Sequence, residues 1–234
     1  MNPPKDYELP IRLVVATRFN RTDFIAKSAT GRSISWLADP HLQAVIVEEN
    51  TLGLAHLYNH EIERAREHPA ILVFMHDDIV ITDGHFSQNV REAMQYFHIA
   101  GLAGNQRRIP YQPSWVFKNL AFQVDEHEFL SGAVAHGRTG QPTPLTYFGP
   151  AKKEVKLLDG LLLIARSDTL LNAGLRFDDQ FEFHFYDLDF CRQAEQQGLR
   201  MGTWPISVVH ESPGNFGTPQ WRSGYEKYIQ KWGT

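Results

Sequence analysis

The chain has 234 residues, of which 42% are hydrophobic, 12% aromatic and 21% charged, a balance that specifies a packed core and excludes wholesale disorder. Its net charge of −4, with 11 neutral histidines, offers no basic face for nucleic acid. The single cysteine, Cys191, rules out an internal disulfide and a cysteine-based zinc site, and fits reduced, intracellular surroundings.

In chain order, the opening MNPPKDYELP lacks the apolar segment of a secretory signal. IRLVVA (Ile11–Ala16) is a largely apolar run, the signature of a strand covered on both faces. Thr22 is placed to cap a helix running to about Trp36, and residues 43–47 read as a second strand. Leu54, Leu57, Tyr58, Ile62 and Ala65 recur at helical spacing, ending near His68-Pro69. Ile71–Met75 is a third strand, Phe86, Val90, Met94 and Phe97 form another helical stripe, and residues 99–103 read as a fourth strand. Strands and helices alternating with short connections predict βαβ units: a single α/β domain with a mainly parallel, Rossmann-like sheet flanked by helices. In such sheets ligands collect at the carboxyl ends of strands. Thr17-Arg18, Glu48-Glu49-Asn50 and His76-Asp77-Asp78 all follow strands and converge on one edge.

From residue 104 to about 154 glycine, proline and aromatics dominate, and an excursion of short strands and loops within the same domain is expected. Residues 156–166 read as one strand carrying Asp159-Gly160 and include the most apolar stretch, far short of the ~20 residues that span a bilayer. A soluble, cytoplasmic protein is expected, with at most peripheral membrane contact. Ser167 is placed to cap a short helix closed by Gly174, and a further helix is expected from about Asp187 to Gln197, ended by Gly198. A last strand over 203–209 leads into His210, and ESPGNFGTPQW reads as a loop.

Three groups carry chemistry. Adjacent Asp77 and Asp78 at a strand end suit a hard divalent cation that takes further oxygens from a diphosphate, although a turn capping the next helix would also explain them. Asp187 stands at a helix mouth, where the dipole favours a carboxylate and capping alone would suffice. The aromatic wall of Phe181, Phe183, Phe185 and Tyr186 beside it argues for a raised pKa and a general base. His210 alone is an ordinary strand-end histidine; with Asp78 it completes a mixed nitrogen and oxygen metal site.

These pieces, in this order, resemble the GT-A glycosyltransferases of family 2 and their relatives, over most of the chain. ENTLGLAHLYN resembles the family's Asn/Gly/Asn segment, with Gly53 and Asn59 in place. His76-Asp77-Asp78 occupies the position of the Asp-x-Asp motif, with His76 where the first Asp stands. LDGLLLIAR matches the strand before the acceptor region, FYDLDFCRQAEQQGLR the acidic helix, VVH the terminal strand with its histidine, and KYIQKWG the Lys-Trp endings of relatives. The resemblance implies a nucleotide-sugar-binding half over about 9–103 and an acceptor-binding, catalytic half over 104–234. It implies a metal-dependent transfer from a nucleotide sugar, UDP-linked by expectation, to a hydroxyl of a glycan or lipid-linked acceptor. Asp78 and His210 would hold Mn²⁺ or Mg²⁺. Thr17, Arg18, Glu48, Asn59 and Asp77 would meet the donor, with Glu48 at the base. Asp187 would deprotonate the acceptor with inversion, and Asp159, Gly160 and Trp115 would line the acceptor side. Two rivals remain at this point. One is a nucleotidyltransferase, disfavoured because ATRFNRTDF has no glycine-rich loop; the other is a degenerate relative that binds a nucleotide sugar or glycan without transfer.

Overall fold

The computed structural model describes residues 9–37, 39–138, 140–212 and 214–233. In chain order the first part comprises β1 (Ile11–Ala16), α1 (Arg21–Lys27), α2 (Ala29–Leu37), β2 (Leu42–Val47), α3 (Leu54–Arg64), β3 (Ile71–Met75), β4 (Ile79–Ile81), α4 (Phe86–Tyr96), β5 (Ile99–Gly101) and β6 (Ala103–Asn105). The second comprises β7 (Leu130–His136), β8 (Leu145–Gly149), β9 (Glu154–Val155), β10 (Leu157–Leu158), β11 (Leu162–Arg166), α5 (Ser167–Asn172), α6 (Tyr186–Gln196), β12 (Met201–Thr203), β13 (Val208–His210) and α7 (Pro219–Trp232).

The strands form a seven-stranded sheet in the order β2-β1-β3-β11-β5-β12-β9 and a smaller one ordered β10-β6-β7-β13-β4, with β8 added on β7. β1 pairs in parallel with β2 and β3, as the βαβ reading requires. The expectation of a mainly parallel sheet is corrected in one respect: β11 lies antiparallel between β3 and β5, so the sheet is mixed. The reason is the route of the chain. β11 is reached from β10 in the second sheet, not by a helical crossover, and enters from the opposite end.

Four runs that look uniform in sequence are divided between the sheets. The chain leaves β3 for β4 across His76-Asp77-Asp78 and β5 for β6 across Leu102. It passes from β10 to β11 across Asp159-Gly160-Leu161 and from β12 to β13 across residues 204–207. The strands expected over 99–103, 156–166 and 203–209 are therefore each two strands in different sheets. The two polar crossings touch, since the His76 N–H donates to the Leu161 carbonyl at 3.3 Å.

The helix expected to begin at Thr22 and run to Trp36 is also two. Asn20, not Thr22, caps the first, its side chain accepting from the Asp23 N–H at 2.9 Å. Ser28 ends it in extended geometry and offers Oγ to the Gly31 N–H at 2.8 Å, starting the second. The break aims the start of α2 at the first crossing: Thr30 Oγ1 donates to the carbonyls of His76 and Ile79, at 2.9 and 2.8 Å. Ser167 proves to be the first residue of α5 and uses its Oγ to accept from the Ala70 N–H. The loop expected after residue 211 gives way to α7, capped by Thr218 with Pro219 in its first turn, a start signal the glycines around it obscure.

The core is contiguous from β1 to α7. β3 is wholly buried, β2 half exposed as an edge strand, and Phe177 stacks on Phe190 with centroids 4.1 Å apart. Each such fully buried side chain contributes about 1.5–3 kcal/mol relative to exposure. Cys191 is buried, its sulfur accepting from the Leu158 N–H, and burial pushes its thiol pKa up, so it packs and does not react. No helix among the described residues is long and apolar enough to cross a membrane.

Candidate active site

The first crossing carries one wall of the site. At the end of β1, Thr17 donates its hydroxyl to Asp77 Oδ2 at 2.6 Å. Burial raises the Asp77 pKa, and this hydroxyl only partly offsets it. Asp78 faces the other way. β13 pairs antiparallel with β4 so that His210 stands opposite Ile79, and its Nε2 comes within 3.3 Å of Asp78 Oδ2. Asp78 Oδ1 is buried with no hydrogen-bond partner and lies 4.0 Å from His76 Nδ1. Burial opposes ionisation of Asp78, yet the hydrogen bond from His210 holds its carboxyl below the usual range. For His76 burial wins and lowers the pKa, leaving a neutral imidazole with a lone pair to give.

His76, Asp78 and His210 thus each offer a ligand atom, all within 4.8 Å of one another. Two imidazole nitrogens and a carboxylate fit a divalent transition-metal ion, and the orphaned Asp78 oxygen is the kind of atom such an ion satisfies. Two of these residues were expected as ligands. The third, His76, lies at the motif position whose departure from Asp hid its donor nitrogen.

The opposite wall is the second crossing and the start of α6. Phe185 precedes that helix at φ 67°, a left-handed conformation that side chains of its size rarely adopt. It turns Tyr186 and Asp187 onto Gly160. The Gly160 N–H donates to Asp187 Oδ2 at 3.0 Å, and the Tyr186 hydroxyl donates to the Gly160 carbonyl at 2.7 Å. A Cβ at residue 160 would come within 2.5 Å of the Tyr186 oxygen and 2.8 Å of Asp187 Cβ, so only glycine permits this approach. Burial, with Asp159 nearby, pushes the Asp187 pKa up to about 7 against the pull of its backbone hydrogen bonds. A carboxyl group there exchanges a proton near neutral pH.

The ENTLGLAHLYN segment also does structural work. The Asn59 amide donates to the Phe177 carbonyl at 2.7 Å and accepts from the Phe177 N–H at 2.9 Å. A Cβ on Gly53 would stand 2.8 Å from Glu182 Cα, and the next residue, Leu54, gives its N–H to the Glu182 carbonyl. α3 is thereby clamped to the loop that delivers Asp187. Asn59→Ala leaves both Phe177 groups unpaired and is expected to cost about 1–3 kcal/mol of stability, read as a fall in the thermal midpoint.

The remaining expected residues are distributed as follows. Arg18 is exposed beyond β1, and Glu48 is ion-paired with Arg21 at 3.2 Å on the rim. Trp115 is buried, edge-on to Phe148 at 4.7 Å, in the wall of a cavity of about 360 Å³ shared with Asp159, Gly160, Asp187, His76, Asp78 and His210. A second cavity of about 480 Å³ opens on the other side of Asp78, where Lys27, Arg32 and Arg138 join Asp77 and Asp78. Arg32 there forms a two-pronged pair with Glu211, at 2.8 and 2.9 Å. Nothing in the sequence singled out these basic residues, because they come from separate segments.

With this geometry in view, the comparisons are specific. The model of the "Glycosyltransferase like family" matches residues 14–216, a span that takes in strands of both sheets and every residue of the cluster. No curated protein matches the sequence. Among solved structures, S. aureus TarS is 10% identical with a TM-score of 0.51, over 94% of this chain and 39% of that one. GalNAc-T7 with UDP, GalNAc and Mn²⁺ is 11% identical with a TM-score of 0.52, over 96% of this chain and 48% of that one. The chain spans less than half the length of either, and at such identity the likeness is one of fold. A family match over both halves of the molecule, joined to that shared architecture, makes the chain a member of the glycosyltransferase-like family, with the GT-A fold and family 2 character.

Proposed function

We propose that the protein transfers a sugar from a nucleotide-linked donor, UDP-linked in the first instance, to a hydroxyl of an acceptor, with inversion. The observation that carries this is the placing of a candidate base, Asp187, and the three-residue ligand cluster around one cavity. Residues up to about 103 supply the donor side and the rest chiefly the acceptor side. Asp77, steadied by Thr17, suits the ribose, and Glu48 and Arg18 lie at the rim where the base would sit. Lys27, Arg32 and Arg138 stand in the donor cavity to meet the diphosphate, beside Asp77, Asp78 and the Glu211 that pairs with Arg32. His76, Asp78 and His210 would hold a divalent cation, which when bound neutralises charge on the leaving diphosphate. Two nitrogen ligands favour Mn²⁺ over Mg²⁺.

On the other wall Asp187 takes the acceptor proton onto its carboxylate, held by the Gly160 and Leu188 N–H groups. Trp115, Phe117, Phe148, Phe183 and Trp221 line that cavity, and among the described residues its full charges are acidic: Asp78, Asp159 and Asp187. Such walls favour a neutral acceptor with an apolar ring face, as a sugar of a glycan has, over one bearing phosphate beside its hydroxyl.

Calorimetric titration with UDP, with and without Mn²⁺, tests the reading. Binding that depends on the cation is expected, followed by UDP release from one member of a UDP-sugar panel. UDP binding indifferent to every divalent cation would remove the metal from the scheme.

A further inference from the structure

The hydrogen bonds of Tyr186 fix more than the helix start. Its phenol has one proton, and a carbonyl can only accept, so the 2.7 Å contact with the Gly160 carbonyl consumes that proton. The His76 Nε2, 2.9 Å from the same phenol oxygen, must then be the donor in that contact. An ordinary phenol keeps its proton at neutral pH. In the neutral ring only one nitrogen carries hydrogen. With it on Nε2, the lone pair is on Nδ1, the nitrogen that faces the orphaned Asp78 Oδ1. Phe183, stacked on the His76 ring with centroids 5.5 Å apart, restrains it from turning over.

We infer that Tyr186 is a positioning residue: it sets His76 in the Nε2–H tautomer and thereby makes Nδ1 a ligand for the cation. This rests on the reading that His76, Asp78 and His210 hold a metal. The same phenol also holds the Gly160 carbonyl, whose N–H holds Asp187, so one side chain links the cation cluster to the candidate base. Partners of this kind, which orient a metal-binding histidine through its other nitrogen, change metal affinity by about ten- to hundredfold when removed.

The test is Mn²⁺ titration of the full chain, without nucleotide, for the wild type, Tyr186→Phe, His76→Ala and the double variant. Tyr186→Phe is expected to weaken Mn²⁺ ten- to hundredfold, and to add little once His76 is gone, because the phenol acts through that ring. A purely structural role would weaken both backgrounds equally. Nitrogen NMR of the metal-free wild type gives a reading that needs no variant: His76 should carry its hydrogen on Nε2. Unchanged Mn²⁺ affinity in Tyr186→Phe, or a hydrogen found on Nδ1, would overturn the inference. A wild type that binds no divalent cation would instead sink the metal reading, while the tautomer measurement still reports on the Tyr186–His76 contact.

Discussion

Asp187→Asn is expected to lower turnover by about 10²- to 10⁴-fold while leaving Mn²⁺-dependent UDP affinity within a factor of a few, the usual size of a lost general base. The separation follows from position. Asp187 borders the cavity proposed for the acceptor and touches Gly160 and Leu188, whereas the cavity proposed for the donor, lined by Asp77, Asp78, Lys27, Arg32 and Arg138, does not include it. The sign of the pH dependence is fixed by the same carboxyl. Its pKa is raised to about 7, so below that pH it is protonated and cannot accept the acceptor's proton. Wild-type kcat/KM should therefore climb as pH rises toward about 7 and level off above it, and the variant should lose that limb. Transfer by Asp187→Asn at the wild-type rate would show that the base is elsewhere. A wild type that binds UDP and never turns over any sugar donor would favour the binding-only relative.

Asp78→Ala is expected to abolish the cation-dependent part of UDP binding. Removing a direct ligand should exceed the ten- to hundredfold loss that follows from removing an outer partner. The variant deletes both the oxygen that His210 approaches and the buried oxygen without a partner. Its fold should survive, because the backbone of the crossing is held by other groups: the Asp78 carbonyl accepts from the Glu211 N–H and the Asp77 carbonyl from the Thr30 N–H. Calorimetry with UDP at fixed Mn²⁺ measures the loss, and circular dichroism checks the fold. UDP affinity that stayed at the wild-type level and still required Mn²⁺ would place the cation away from Asp78.

What could be seen in the sequence follows physical lines. β1 and β3 announce themselves because both faces are buried and, Arg12 apart, every residue is apolar. The acids at strand ends stand out because a buried carboxylate demands a partner. The division of 99–105 into strands of two sheets leaves no such mark: Leu102 is as apolar and as buried as its neighbours. The antiparallel placing of β11 depends on a long-range route, which local periodicity does not encode. His76 was legible as a departure from a motif, but its lone pair becomes meaningful only when β13 brings His210 to Asp78. The structural side of Asn59 was hidden for a related reason. Its two backbone bonds to Phe177 join segments far apart in the chain.

The seam between the sheets separates what keeps the chain folded from the residues proposed to let it react. His76, Asp77, Asp78, Asp159 and Gly160 occupy crossings that belong to neither ladder, while the apolar strands on either side carry the core. Buried acids oppose their own desolvation, and replacing functional residues commonly firms a fold. Architecture holds Gly160 through the approach of Tyr186 and Asp187, but it leaves Asp78 Oδ1 without a partner. On the proposed function, selection for the reaction is what would retain Asp78, and a descendant released from it would fall silent as a catalyst while keeping its shape intact.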